Sequence, residues 1–288
     1  MKARYAPARK ASLNSLPAGF GEHLRAWRQR RRLSQLDLAA EADISTRHLS
    51  YVETGRANPS REMVLRLTAR LEVPLRERNA FLIAAGYAPM YRETLLDEPT
   101  MAAAKRAVEL ILKSHEPFPA IAIDRHWNLV AANRMLAHLL TDVDPSLLQP
   151  PMNVLRLSLH PRGLAPKIVN LAQWRAHLFE RLSRQIAASA EPALIDLLGE
   201  LRNLPTPENE SEDYLQGEHL GVAMPLKFRS PSGILSFIGT TTIFGSPLDI
   251  TLQEIAMETL FPSDEFTLQA LQSVAVAVSG HSPHVSLS

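Results

Sequence analysis

Ten histidines are scattered through this 288-residue chain, and none falls in an HxxxH or HExxH pair. The chain has no Gly-rich phosphate loop, no GxSxG elbow and no cysteine. The missing cysteines remove thiol catalysis, disulfides and thiolate zinc sites together, and fit a cytoplasmic protein. Neither catalysis nor a resident cofactor is expected. A lone histidine can ligate haem iron, but no sequence feature favours it. What remains are polar residues set inside apolar segments of the second half: Asn133, Asn153, Arg156, His160, Asn170 and Trp174. A mostly apolar pocket with a few converging polar groups is what a small-molecule site needs, and Arg156 could grip a carboxylate with two parallel hydrogen bonds. Structural alternatives stand beside these readings. Asn133 is most simply a helix cap, His160 before Pro161 can end a helix, and Trp174 on a leucine stripe is a core position.

The elements that would position such groups divide by charge. Residues 1–85 hold 16 Lys/Arg against 8 Asp/Glu, leaving 15 against 22 for the rest. A basic first third points to a polyanionic partner for that third alone. Apolar residues make up 45% of the chain, enough for a core in each of two domains. No run of eighteen apolar residues is present, so no membrane span is expected. The start, MKARYAPARKASLNS, is basic without an apolar stretch and reads as a disordered arm over 1–19 rather than a secretory signal.

Five short helices are expected over 20–85. Phe20, Leu24 and Trp27 share one face of the first, with Arg25, Arg28 and Arg30 to Arg32 around them. Ser34 is an N-cap with Asp37 at the third helical position, a relative of the capping box. The second helix runs to about Ala42, and Asp43-Ile44 makes a tight turn. Ser45 caps a third helix, 46–53, with Leu49 and Val52 inward, and Gly55 stops it. Ser60 caps a fourth; Pro74 opens a fifth, which Gly86 ends. Two short helices about a tight turn form the helix-turn-helix pattern.

The segment LSQLDLAAEADISTRHLSYVETGRANPS resembles the Xre, or lambda-repressor-like, class over roughly 20–73. Asp43 departs from the usual Gly of the turn, and Asp tolerates left-handed geometry better than most residues. The resemblance implies double-stranded DNA as partner. It places Ser45, Thr46, Arg47 and Tyr51 on the face that reaches base edges in the major groove, with Arg47 suited to bidentate contact with guanine. It makes Gln35 a phosphate contact, with His48, Arg56 and Asn58 as weaker phosphate candidates, and it assigns Arg28 and Glu53 to a structural ion pair. The expected arrangement is a homodimer on paired half-sites of a pseudo-palindrome. Two alternatives stay open: Tyr51 packing on the protein, and the whole segment being a helical protein-interaction bundle.

Residues 86–100 mix Pro, Gly and charge and read as a stiff connector. The second domain is expected over 101–280, with a tail at 281–288. A helix resumes over 101–116. Two strands follow, 120–124 and 127–131, about a turn at Arg125-His126. Helices come next, then an exposed Pro- and Glu-rich loop over 204–219. Three strands, 222–228, 234–244 and 251–261, and a last helix over 264–279 complete the chain. Two strands, helices, then three strands is the order of a PAS-type sheet. The blocks AGYAPMYRE, HEPFPAIAIDRHWNLVAANR, NVLRLSLHPRGLAPKIVN, QWRAHL and TTTIFGSPLDITLQEIAMETLFP resemble the ligand-binding domain of MmyB-like regulators over about 86–272. That resemblance implies a PAS-like domain taking a small effector, apolar or fatty-acid-like, with Asn153, Arg156, His160, Asn170 and Trp174 as its candidate contacts. The expected fold is α+β: an all-α five-helix lambda-repressor-like domain, then a PAS-like α/β domain with an antiparallel sheet. The rival expectation is a constitutive DNA-binding regulator whose second domain serves only dimerisation or protein contact.

Overall fold

The computed structural model describes residues 19–189, 191–205 and 224–279. Residues 1–18 of the expected arm lie outside them, as do the tail 281–288, most of the expected loop 204–219 and the first residues of the strand expected from 222.

Five helices build the first domain: α1 (Phe20–Arg30), α2 (Gln35–Glu41), α3 (Thr46–Glu53), α4 (Arg61–Arg70) and α5 (Leu75–Ala84). Three of them start on a serine whose hydroxyl accepts an otherwise orphaned amide: Ser34 from Asp37, Ser45 from His48 and Ser60 from Met63. At Ser34 the box is closed, since the Asp37 carboxylate accepts the Ser34 amide in return. Each such cap stabilises its helix by about 1 kcal/mol. All five helices end alike. A residue with positive φ follows the last turn (Arg32, Asp43, Gly55, Glu72, Gly86). The next amide then reaches back to a carbonyl of that turn: Leu33 to Arg28, Ile44 to Ala39, Arg56 to Tyr51, Val73 to Thr68 and Tyr87 to Leu82. This is the Schellman geometry, and at four of the five ends the reaching residue is apolar. Asp43, at φ 53°, takes the left-handed conformation expected of it.

The core of this domain gathers Leu24, Trp27, Leu38, Leu49, Val52, Leu67 and Phe81, all essentially without exposed surface. At about 1.5–3 kcal/mol per buried large apolar side chain, such packing rather than helix propensity holds short helices together. Gly21 permits the close crossing of α1 on α3, because a Cβ there would stand 2.7 Å from the Val52 carbonyl oxygen and nearer still to that of Glu53.

The second domain opens with α6 (Ala102–Ser114) and is built on five antiparallel strands: β1 (Ala120–Ile123), β2 (Leu129–Ala132), β3 (Pro225–Ser230), β4 (Gly233–Ile243) and β5 (Ala256–Pro262). Their spatial order is β2-β1-β5-β4-β3. Between β2 and β3 lie α7 (Leu136–Leu139), α8 (Val154–Leu159), α9 (Leu171–Ser189) and α10 (Pro192–Arg202); α11 (Ile250–Glu254) precedes β5, and α12 (Glu265–Ser279) follows it. Alternation along β1, β3, β5 and the first half of β4 sorts the two faces. Ile121, Ile123, Phe228, Phe237 and Leu260 pack with the layer of α8, α9 and α10. Ala120, Ala122 and Met257 pack with Val108 and Leu112 of α6.

The strand expected over 251–261 is corrected. Asp249 accepts the Thr251 amide at 2.8 Å and starts α11, so the strand begins only at Ala256. The local cap from Asp249 outweighs both the β-branched Ile250-Thr251 and the two-residue alternation that starts at Ile255. Asn133 is likewise not the cap of α7, whose cap position is Met135. It is a buried bracket. Its amide nitrogen donates to the carbonyls of Leu112 and Phe118, and its oxygen accepts from the amides of Ala120 and Met135.

Candidate nucleic-acid interface and the domain boundary

The face of α3 is set by what it buries. Leu49, Val52 and Glu53 point inward. Ser45 and Arg47 are exposed, Thr46, His48 and Tyr51 are half-buried, and Arg56 and Asn58 are exposed in the following loop. Arg47 and Tyr51, one turn apart, form a pair: the guanidinium Nε donates to the phenol oxygen at 3.0 Å and its carbon stands 5.4 Å from the ring centroid. Tyr51 thus faces outward and orients Arg47.

Beneath that face, the Glu53 carboxylate has no exposed surface. Arg28 donates Nε to Oε1 at 2.7 Å and Nη2 to Oε2 at 3.1 Å, the pair implied by the resemblance. Gln35 donates Nε2 to Oε2 at 2.7 Å, and Arg25 stands 3.6 Å away. Burial opposes ionisation of Glu53, but the hydrogen bonds from Arg28 and Gln35 and the charges of Arg28 and Arg25 outweigh it, so its carboxyl lies below its ordinary value. Gln35 sits at the first residue of α2, yet its side-chain amide is engaged in this network.

The polar candidates of the second domain all have partners within the chain. Asn153 caps α8, accepting from the amides of Leu155 and Arg156, and donates to the His126 carbonyl. Arg156 forks onto Glu200 at 2.6 and 2.7 Å. His160 follows α8 and its Nδ1 accepts the Arg162 amide. Asn170 ties to β3 through the Pro225 carbonyl and the Lys227 amide, and Trp174 donates to Ser158. A constellation absent from that set lies between sheet and helices. Arg181 of α9 pairs with Glu258 of β5 at 2.7 Å and sits 4.8 Å over the Trp127 ring, while the Trp127 indole donates to Gln185. Among the described residues, no cluster of three or more His, Asp or Glu is placed to hold a metal ion, and no helix is long and apolar enough to cross a membrane.

The two domains meet along α5. The connector is clamped by Asn79, whose amide bonds Met90 and Tyr91. Two first-turn helix amides, which have no partner inside their own helices, are satisfied across the boundary: Leu75 of α5 donates to Gln253 Oε1 at 2.7 Å, and Ile250 of α11 donates to the Arg92 carbonyl at 2.8 Å. Arg76 forks onto Glu254 of α11, with Nε to Oε1 at 2.8 Å, and onto Glu93 of the connector. Arg125, in the β1–β2 turn, stands 3.2 Å from Glu191 at the start of α10 and 3.6 Å from Glu254. His126 also reaches Glu191, at 2.7 Å. Burial works against ionisation of Glu191, yet its bond from His126 and the charge of Arg125 bring its carboxyl below the ordinary value. Burial and the charge of Glu191 raise that of Glu77, which faces it from α5. Nothing local in the sequence marks these residues. Arg76 and Glu254 are 178 positions apart.

A capped helix-turn-helix with Arg47 on its outward side, joined to a five-stranded sheet domain, has the make-up of a two-domain DNA-binding transcription regulator. A helix-turn-helix domain family matches residues 20–81, and the family described as the MmyB-like transcription regulator ligand binding domain matches 104–274. The chain belongs to this MmyB-like family. No curated protein matches it. One solved structure, described as an RNA-binding Light-Oxygen-Voltage Receptor, aligns over 92% of this chain at 13% identity and a TM-score of 0.26. This chain spans 65% of that protein's length.

Proposed function

We propose that two copies of the chain bind a pseudo-palindromic duplex site, each laying α3 in a major groove, with half-sites about one helical turn apart. Ser45, Thr46, Arg47 and Tyr51 read bases, while Gln35, His48, Arg56 and Asn58 hold phosphates. A small apolar, fatty-acid-like molecule in the second domain shifts the placement of the DNA-binding domain, acting in the cytoplasm. The observation that carries the reading is the polarity of α3, with Leu49, Val52 and Glu53 locked inward and Arg47 held outward by Tyr51. The leucine-rich layer against one sheet face is the kind of surface an acyl chain can join.

A specific observation favours a second reading, constitutive binding with a structural second domain. One sheet face is packed under the helical layer and the other is covered by α6 at β1 and β5, and the polar candidates of this domain are already bonded to the chain. Genome-wide mapping of bound sites, followed by operator affinity with and without saturated fatty acids, separates the two. A ligand acts only as far as its affinity differs between the two arrangements. Equal operator affinities would reject sensing, and no attraction to any duplex at low salt would reject both readings.

A further inference from the structure

We infer that Arg125 is a positioning residue that sets how firmly the DNA-binding domain is held, by dividing its charge between Glu191 and Glu254. The inference rests on the second domain being a sensor, but its test needs neither DNA nor effector. Glu254 is the carboxylate both domains use: its Oε1 takes Arg76 of α5 at 2.8 Å and lies 3.6 Å from Arg125. Arg125 is kept nearer to Glu191, at 3.2 Å. Arg125 and Arg76 therefore share one oxygen, and Glu191, by holding Arg125 nearer to itself, leaves the larger share of that oxygen's charge to Arg76.

Glu191 belongs to the helical layer, at the start of α10. The turn carrying Arg125 is tied to the same layer by Gln185 of α9, whose amide donates to the Arg125 carbonyl at 2.7 Å. Arg125 thus hangs by its backbone from α9 and by its side chain from α10. A displacement of α10 away from the turn that α9 holds, as when a molecule enters between layer and sheet, draws Glu191 from Arg125. Arg125 then closes on Glu254 and weakens the hold of Arg76 there. Arg76 keeps Glu93 of the connector, so the DNA-binding domain stays tethered while its dock on α11 loosens. The charged groups facing this site are Arg76, Arg125, Glu77, Glu93, Glu191 and Glu254, with His126 beside Glu191. Taking Arg125 away leaves Glu191 with His126 and leaves Glu254 to Arg76 alone. A mere clamp and a competitor therefore predict opposite results.

The amide of Leu75 reports the dock directly, because it is bonded across the boundary to Gln253, whereas that of Ile250, bonded to Arg92, reports the connector's hold on α11. Hydrogen exchange on the full chain is expected to quicken about tenfold at the Leu75 amide in Arg76→Ala and in Glu191→Gln, as local opening becomes easier. It is expected to stay at the wild-type rate in Arg125→Ala, and Arg125→Ala is expected to restore the wild-type rate in the double variant Glu191→Gln/Arg125→Ala. Amides of Leu38 and Leu182, inside the two cores, serve as folding controls; where they also quicken, Glu191→Asp replaces Glu191→Gln and is read the same way. The inference is overturned if Arg125→Ala quickens exchange as much as Glu191→Gln does, or if the double variant exchanges at least as fast as Glu191→Gln alone. Those outcomes leave the DNA-binding reading untouched.

Discussion

Gly21 of α1 lies against the carbonyl of Glu53, the last residue of α3, so closely that a Cβ would overlap it and would also stand 2.7 Å from the Val52 carbonyl. Both obstacles are backbone and neither can rotate away. Gly21→Ala therefore pushes α1 off the helix that carries the base-reading face. Overpacking of this kind costs about 1–3 kcal/mol, more than the gain in helix propensity that Ala brings. A thermal melt of the full chain should show an early transition for the first domain, with duplex affinity reduced in proportion. An unchanged melt would mean the helices do not cross this closely.

The buried Glu53 carboxylate ties that same crossing to pH. Its folded-state value lies below the ordinary 4.5, so ionised Glu53 stabilises the fold at every pH above the unfolded value. This contribution fades as pH falls through the folded value. Between neutrality and the acid limb, Glu53→Gln should flatten part of the stability loss seen in the wild type. At neutral pH the variant should be less stable by about 3–5 kcal/mol, because Arg28 is left without its counter-charge. Urea midpoints of both proteins, measured from pH 7 to pH 3, give the comparison; parallel curves would show that Glu53 carries no acid dependence.

Asn133 presents the corresponding case in the second domain. Its one side chain joins the end of α6, the start of β1 and the segment after β2 through four bonds in a buried setting. Asn133→Ala strands two carbonyls and leaves two amides short of a partner, at about 1–3 kcal/mol for each buried group left unsatisfied. Asn133→Asp keeps the acceptor but removes the donor facing two carbonyls, and should be at least as damaging. Calorimetry should assign the loss to the second domain's transition alone. A loss shared by both domains would contradict this local account.

How much of this was legible beforehand follows from distance along the chain. The helices of the first domain were readable because their caps lie within three residues of what they cap, and Asp43 could be anticipated because one turn needs a left-handed residue. Arg28 and Glu53 were legible only through the family resemblance, and Gly21 not at all, since its reason is the backbone of a helix 32 positions later. Asn133 stood out as a polar residue in an apolar stretch, but its partners at Leu112 and Ala120 could not be read from periodicity. Residues 251–255 misled because the alternation from Ile255 onward extends backward over a segment that Asp249 had already committed to helix. The boundary network around Arg76 and Arg125 was invisible for the simplest reason: charged residues on a surface look the same whether they face water or another domain.

Arg47 and Arg56 are both exposed in the first domain but should fail differently. Arg47 projects from α3 and is held by Tyr51; Arg56 follows the positive-φ Gly55, beyond the helix end. If Arg47 grips a guanine edge, Arg47→Ala relaxes the preference at one base position by about 1–3 kcal/mol, and Tyr51→Phe, which removes the oxygen that orients it, gives a weaker version of the same relaxation. If Arg56 meets phosphate, Arg56→Ala weakens all sequences alike and lowers the slope of log affinity against log salt by about 0.9, one counterion's worth. Binding-site selection and a salt titration on each variant separate the two roles. Arg47→Ala leaving the selected motif unchanged would remove α3 from the groove, whereas an unaltered salt slope in Arg56→Ala would only move the phosphate contact elsewhere.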